Sequence, residues 1–344
     1  MDSSNLYIKP QATIRDAMNQ LDAIGLRTLI VVEENRLIGT LTDGDIRRFL
    51  LRGGKLEDTL DAAVNHAPKV ARNRMQAAEL YQQGNYAVIP VVNDRMGIVD
   101  VYMGEVSRKR QCALNAPVII NAGGKGTRLD PYTRVLPKPL IPVGEKPIIE
   151  HIMCRFEDHG CDNFHVIVNY KKQLIKAYFT ECEKEYDVSF YDELKPLGTG
   201  GGLSLLKGKI HETFFFTNCD ILLQSDYDCI LQFHKEQKNT ITMVCAYKNI
   251  KIPYGIIDMG INGSIENMKE KPEFSFLTNT GVYVVEPEVL EDIQDGVSIG
   301  FPDIIEMQRQ KGRKVAVYPV SDGDWLDMGT MEELEKMRIK LYGE

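Results

Sequence analysis

Two glycine-rich loops, a few basic side chains and two widely separated aspartates are the residues of this chain that could do chemistry. The first loop, Asn121, Ala122, Gly123, Gly124, Lys125, Gly126, Thr127, Arg128 and Leu129, follows the apolar run at 117–120. Glycines there let successive backbone N–H groups turn inward and cradle phosphate oxygens with no side chain in the way. It is not a Walker loop, because no Gly-Lys-Ser/Thr closes it. It is not the dinucleotide fingerprint either, because Leu129 stands where the last glycine belongs. By itself such a loop also fits a tight strand-to-helix connection. Arg128 adds a five-donor fork suited to phosphate, and Lys138 adds a point charge held between Pro137 and Pro139. Asp220 ends the apolar run that starts at Phe214, and Asp327 lies just before Met328-Gly329-Thr330. Two carboxylates with phosphate oxygens and water make the hard oxygen set that Mg²⁺ takes. Each aspartate also has a plain structural reading. Asp220 fits a turn or helix cap after a strand. Asp327 fits a cap before Met331, although Thr330 with Glu333 is the better-placed capping box.

The continuation GGKGTRLDPYTRVLPKPLIPVGEKPIIEH is long and specific. It resembles the sugar-1-phosphate nucleotidyltransferases that make nucleoside-diphosphate sugars, and the resemblance extends across residues 116–344. It implies that Ala122 to Thr127, with Arg128 and Lys138, bind the nucleotide, and that Asp220 and Asp327 hold Mg²⁺ as cofactor. It implies that Pro196, Gly198 and Thr199, in the second glycine loop, read the base. Their Leu-Gly-Thr form is closer to enzymes of guanosine or adenosine nucleotides than to thymidylyl and uridylyl enzymes. It further implies that Glu270 and Lys271 hold the sugar and its phosphate, with Tyr254, Gly255, Asn279 and Thr280 at further sugar-pocket positions. The catalytic set so implied is Arg128, Lys138, Asp220 and Lys271. The reaction so implied is in-line attack of a sugar 1-phosphate on the α-phosphorus of a nucleoside triphosphate. The phosphate nucleophile is already ionised, so positioning and charge neutralisation suffice. GTP and glucosamine 1-phosphate are the favoured substrates.

The elements that must carry these residues alternate strand and helix. Apolar runs at 117–122, 164–170 and 213–222 alternate with amphipathic stretches at 147–160, 171–186 and 226–237. This predicts an α/β fold, a Rossmann-like, mainly parallel mixed sheet that the resemblance makes GT-A-like, with ligands at the carboxyl ends of the strands. Later segments (254–259, 280–285, 314–320) read as a smaller mixed sheet, and 331–343 as a closing helix.

Residues 1–112 read as a separate domain built from a weak internal repeat. One copy covers 28–50 and the other 86–106, each preceded by a helical stretch (Thr13 to Ile24; Met75 to Gln83). Units this small must pack on each other to bury their apolar faces. This half resembles a CBS-domain pair, an α+β module, in which Thr42 and Asp45 match positions that hold a ribose. That implies an adenine nucleotide as ligand. In the second copy Asp100 and Met103 replace the threonine and the aspartate, so at most one competent site follows. A structural or dimerising role is an equal reading. Residues 107–116 read as a linker, and 116–344 as the catalytic domain. A CBS pair fused to this domain resembles the glucosamine-1-phosphate guanylyltransferases of bacterial legionaminic acid synthesis.

Bulk properties prune the other classes. The chain of 344 residues carries a net charge of −8, which argues against a nucleic-acid binder. No apolar run approaches bilayer length, and residues 1–18 lack a secretory core. Seven cysteines without a C-x-x-C pair fit a reducing cytoplasm. The six histidines show no metal-ligand spacing, and no G-x-S-x-G turn exists. Mannose-1-phosphate guanylyltransferase, glucose-1-phosphate thymidylyltransferase and a silent regulatory subunit remain alternatives. A homo-oligomer is expected from the paired modules.

Overall fold

The structure, a computed structural model, describes residues 3–83, 86–103, 114–182 and 187–343. Two compact units emerge, Met1–Arg110 and Gln111–Glu344. Residues 107–113 of the expected linker and 104–106 of the second repeat lie outside the described residues, as do 183–186 of the stretch read as a helix.

The first unit runs β1 (Tyr7–Ile8), α1 (Ile14–Ile24), β2 (Thr28–Glu33), β3 (Arg36–Thr42), α2 (Asp43–Leu51), α3 (Arg74–Gln83), β4 (Val88–Val92) and β5 (Ile98–Met103). Each repeat is a helix followed by an antiparallel pair, β2 with β3 and β4 with β5. Ile30 and Leu37 of the first copy share one buried cluster with Val88, Val92 and Val101 of the second. Neither pair could shield its apolar face alone, and each covers the other.

The second unit begins with β6 (Val118–Ala122), α4 (Tyr132–Val135), a hairpin of β7 (Pro142–Val143) with β8 (Lys146–Pro147), and α5 (Ile148–Glu157). It continues through β9 (Asn163–Val168), α6 (Lys172–Glu181), β10 (Asp187–Asp192), β11 (Phe214–Asn218), β12 (Ile221–Leu223), α7 (Tyr227–Gln237) and β13 (Ile241–Lys251). The remainder is β14 (Ile256–Met259), β15 (Ile265–Lys269), β16 (Glu273–Val285), α8 (Glu288–Glu291), α9 (Phe301–Gln310), β17 (Val315–Ser321), β18 (Trp325–Asp327) and α10 (Met331–Tyr342). Seven strands form one sheet in the order β10-β9-β6-β11-β16-β13-β17. Only β16 runs against its neighbours.

Both faces of that sheet are covered, which explains the unbroken apolar runs in the sequence. Val118, Ile120 and Phe215 enter one core with Ile152, Phe156 and Tyr227. Their neighbours Ile119, Phe214 and Phe216 enter the other with Tyr283, Phe301 and Ile304. The period of two along β6 and β11 sorts the side chains.

One expectation is corrected. Residues 280–285 and 314–320 belong to the main sheet, as parts of β16 and β17, and not to a smaller one. Val282 and Val284 face one core while Tyr283 and Val285 face the other, so this stretch is buried on both sides as an interior strand must be. Only β14 stands apart, paired with β15 in a two-stranded hairpin.

Candidate functional site

The chain turns outward from β6 toward β9 and β10, then returns to place β11 on the other side of β6. Loops leaving the carboxyl ends of β6 and β11 therefore diverge at a topological switch point, where open α/β sheets bind ligands. Asn218 is in register with Asn121, and the Cys219 amide donates to the Asn121 carbonyl at 3.2 Å. Asp220 thus starts beside the first glycine loop.

That loop closes with Gly126 at φ 65°, in the left-handed region. A β-carbon there would meet Lys138 Cβ and Thr133 Cγ2 at 3.0 Å, so only glycine lets the loop lie against the lysine. Gly124, Lys125, Thr127 and Arg128 are exposed, as a phosphate cradle requires, whereas Ala122 is buried at the strand end. Lys138 is buried, starts the short 3₁₀ turn Lys138–Leu140, and bonds the Asp220 carboxylate.

Asp327 reaches the same place from the far end of the chain. β12, directly after Asp220, pairs antiparallel with β18, which sets Ile221 opposite Asp327. The Met328 amide donates to the Asp220 carbonyl at 2.9 Å. Asp327 Oδ1 is buried with no hydrogen-bond partner. Burial first, then the neighbouring Asp220 and Glu333 charges, pushes its carboxyl up to about 6, while Lys138 and Arg128 pull the other way. Arg128, Lys138, Asp220 and Asp327 therefore share one electrostatic neighbourhood. A carboxylate pair of this kind is short of positive charge, and a hard divalent cation fits its donor set. Thr330 does cap α10, accepting from the Glu333 amide at 3.3 Å, so Asp327 is not needed as a cap. Cys219 is core: burial pushes its thiol up to about 12.

The second glycine loop is fastened from behind by residues 297–301. The Ile299 amide donates to the Leu197 carbonyl, and the Gly200 amide to the Ile299 carbonyl, both at 3.0 Å. Gly198, at φ 78°, lies against the Ile299 backbone. Pro196 and Gly198 keep their backbone on the exposed side. Thr199 spends its hydroxyl on the Phe301 amide at the start of α9, at 3.0 Å.

The expected sugar residues separate into two groups. Tyr254, Gly255, Glu270 and Lys271 stand together at the base of the β14–β15 hairpin, all exposed, where a β-carbon on Gly255 would meet the Glu270 carboxylate at 2.9 Å. Asn279 and Thr280 lie instead on β16, next to Gly281, whose Cα packs on Asn218. Asn279 bonds the Tyr283 hydroxyl at 2.7 Å and the Gly281 amide at 3.0 Å. Thr280 is buried and donates to the Val244 carbonyl at 2.8 Å, which leaves its hydroxyl turned into the sheet.

In the first unit Thr42 and Asp45 form a capping box for α2. The Asp45 amide donates to Thr42 Oγ1 at 3.1 Å, the Thr42 amide to Asp45 Oδ2 at 2.9 Å, and Arg48 reaches Asp45 at 2.5 Å. In the second copy Asp100 pairs with Arg74 at 3.3 Å.

Sequence reading overlooked three groups. Glu193 lies between the two glycine loops, its carboxylate 2.7 Å from where β-carbons on Gly123 and Gly202 would sit. It is buried, its Oε1 has no partner, and burial pushes its carboxyl up to about 7. Glu333 sits close enough to charge the Asp327 neighbourhood. His159, just past α5, clusters with Asp226 and Asp228 at the start of α7, unseen in the histidine spacing. Asp228 accepts from His159 at 2.9 Å while Asp226 caps α7, and Arg155 already supplies positive charge there.

Comparison with known proteins gives the family of the second unit. The family model described as nucleotidyl transferase matches residues 117–342, and a CBS-domain model matches residues 1–52. Mannose-1-phosphate guanylyltransferase catalytic subunit beta of Drosophila pseudoobscura pseudoobscura is 33% identical over 222 residues, covering 61% of this chain and 58% of that protein. The bifunctional protein GlmU of Methanococcus maripaludis is 31% identical over 220 residues, covering 61% of this chain and 51% of that protein. The chain thus spans between half and three fifths of the length of these relatives. The crystal structure of HddC from Yersinia pseudotuberculosis superposes with a TM-score of 0.52 at 23% identity, over 65% of this chain and 99% of that one, and shares its fold.

Proposed function

Since this chain belongs to the nucleotidyl transferase family, we propose that it moves a nucleotidyl group from a nucleoside triphosphate to a sugar 1-phosphate and releases pyrophosphate. The observation that carries this reading is the convergence of Asp220 and Asp327 beside Lys138 and the glycine cradle. Acidic pairs exist for many reasons, but this one sits at the sheet's switch point with a partnerless carboxylate oxygen and two cations at hand.

The residues then divide the work. Amides of residues 123–127 and the Arg128 guanidinium receive the β- and γ-phosphates and steady the departing pyrophosphate. Lys138 neutralises charge between the α-phosphate and Asp220. Asp220 and Asp327 would hold Mg²⁺, which when bound supplies Lewis-acid neutralisation of the reacting phosphates. Lys271 and Glu270, on the exposed arm, receive the sugar phosphate and its hydroxyls. The attacking oxygen is already ionised, so no side chain has to take a proton.

Guanosine triphosphate is the favoured donor, and Glu193 favours it on chemical grounds. An ionised carboxylate only accepts hydrogen bonds. Guanine alone offers two adjacent donors on one edge, whereas uracil and thymine flank a single N–H with carbonyl oxygens that a carboxylate repels. The Leu197 backbone already serves this carboxylate, but its Oε1, buried at the junction of the two glycine loops, has no donor and suits guanine. Glucosamine 1-phosphate remains the favoured acceptor, with mannose 1-phosphate the alternative suggested by the first relative. The N-terminal unit is proposed to sense an adenine nucleotide at Thr42 and Asp45, or to act only in assembly. The test is pyrophosphate release over a grid of triphosphates and sugar 1-phosphates, with Asp220→Asn as control. Turnover with no triphosphate in the grid, or turnover that survives Asp220→Asn, would sink the proposal.

A further inference from the structure

Among the described residues, ten of the twenty-three exposed large apolar side chains lie between residues 250 and 277. Scattered exposure needs no explanation, but a concentration of this kind marks a binding surface. Its centre is the β14–β15 hairpin. Cross-strand register pairs Ile257 with Met268 and Met259 with Ile265, and a bulge at Glu266 keeps the second pair on the face of the first. The four are 56%, 64%, 77% and 65% exposed. Between them, Asp258 and Asn267 pair on the opposite face at 3.2 Å, and Glu266 folds its carboxylate toward Gly260 at the tip. One side of the ribbon is therefore an uncharged block of four apolar side chains. A two-stranded ribbon is below the size that holds itself in water, so this face is built to be covered.

We infer that its cover is the same hairpin of a second copy of this chain, packed about a two-fold axis. The arrangement is a two-by-two checkerboard, isoleucine and methionine in one row, methionine and isoleucine in the next. Laid face to face about either two-fold axis in the plane of the ribbon, every isoleucine meets a methionine of the partner. A stiff β-branched side chain then fills against a flexible one at all four contacts. Such self-complementarity is what an isologous interface demands. Charge does not oppose the contact, because the four side chains carry none and so bring no like charges together in a chain of net charge −8. Four such side chains supply roughly 400 Å² of apolar surface per copy. That is about half of the ~800 Å² per partner of a stable interface, and the rest would come from the flanks of the hairpin, where Ile250, Ile261 and Phe274 are also exposed.

The test uses the full-length protein without ligands. Sedimentation velocity over a roughly hundredfold concentration range is paired with hydrogen exchange of residues 256–269. The expected result is one step of association, with hairpin protection that rises with concentration. Met259→Lys with Met268→Lys should remove that step, weakening association on the order of a hundredfold, and leave the circular dichroism unchanged because both side chains are exposed. Met268→Leu should associate as the parent does. An assembly mass unchanged in the double-lysine protein would overturn the inference, since it places the contact elsewhere. Hairpin protection independent of concentration would overturn it too, by showing that the face is covered within one chain.

Discussion

Asp327→Asn should make the metal-free protein more stable while destroying its activity, and by an amount that depends on pH. The Asp327 carboxyl is held at about 6 against an ordinary 3.8, by burial and by the charges of Asp220 and Glu333. Each pH unit between those values is worth about 1.4 kcal/mol, so ionising Asp327 in the folded protein costs about 3 kcal/mol. Its partial exposure screens this to about 2 kcal/mol. A carboxyl whose folded value is raised lends stability that is complete below pH 3.8 and gone above about 6. The wild type should therefore lose about 2 kcal/mol between pH 4 and pH 7 from this group alone, and the isosteric amide should not. The only tryptophan, Trp325, lies two residues away in β18 and reports unfolding of the second unit by its fluorescence. Urea titrations at pH 4 and pH 8 in chelator would show the variant gaining mainly at pH 8, and thermal scans there a midpoint raised by about 4–8 °C. Magnesium should restore the balance by stabilising the wild type and not the variant. A variant no more stable than the wild type at pH 8, or an advantage as large at pH 4 as at pH 8, would refute the account of the carboxylate pair.

Other outcomes follow from single residues. Glu193→Gln should erase the preference for GTP over ITP, whose base lacks the second donor, and should raise relative binding of UTP, read by calorimetry. In the wild type GTP affinity should fall as pH drops below about 7, where Glu193 takes up its proton; a flat profile would remove Glu193 from base recognition. Gly126→Ala forces a side chain into left-handed backbone against Lys138; we expect a loss of about 1–3 kcal/mol and a nucleotide KM that rises, seen by denaturation and steady-state kinetics. Thr42→Ala removes one half of the α2 capping box and should cost the first unit about 1 kcal/mol. If AMP stabilises the wild type, that shift should vanish in the variant, as thermal denaturation would show.

How much was legible depended on whether neighbours in sequence were neighbours in space. The unbroken apolar runs of β6 and β11, alternating with amphipathic helical stretches, announced a sheet covered on both faces. The first glycine loop declared itself because its spacing is local. The pairing of Asp220 with Asp327 came only by family resemblance, since β12 and β18 are too short to show in periodicity. Glu193 left no mark at all: its chemistry comes from burial between two loops, and nothing in Asp192-Glu193-Leu194-Lys195 tells a buried carboxylate from a solvated one. Thr199 and Thr280 have a structural use that the sequence hides for a related reason. A threonine beside a glycine looks like a ligand contact, yet both hydroxyls serve backbone groups that the fold leaves without partners. The smaller sheet was misread because β16 is long, exposed in its first half and buried in its second.

The two-strand clasp of β12 with β18 also sets an order of events during synthesis. Asp220 leaves the ribosome roughly a hundred residues before Asp327, which at ordinary elongation rates is several seconds or more. For that interval the glycine loop, Lys138 and Asp220 have been made, while the second carboxylate of the proposed cation site has not. On the proposed function the centre would stay incomplete until the pairing of β18 with β12 brings Asp327 beside Asp220, so the last strand made would also be the one that completes it.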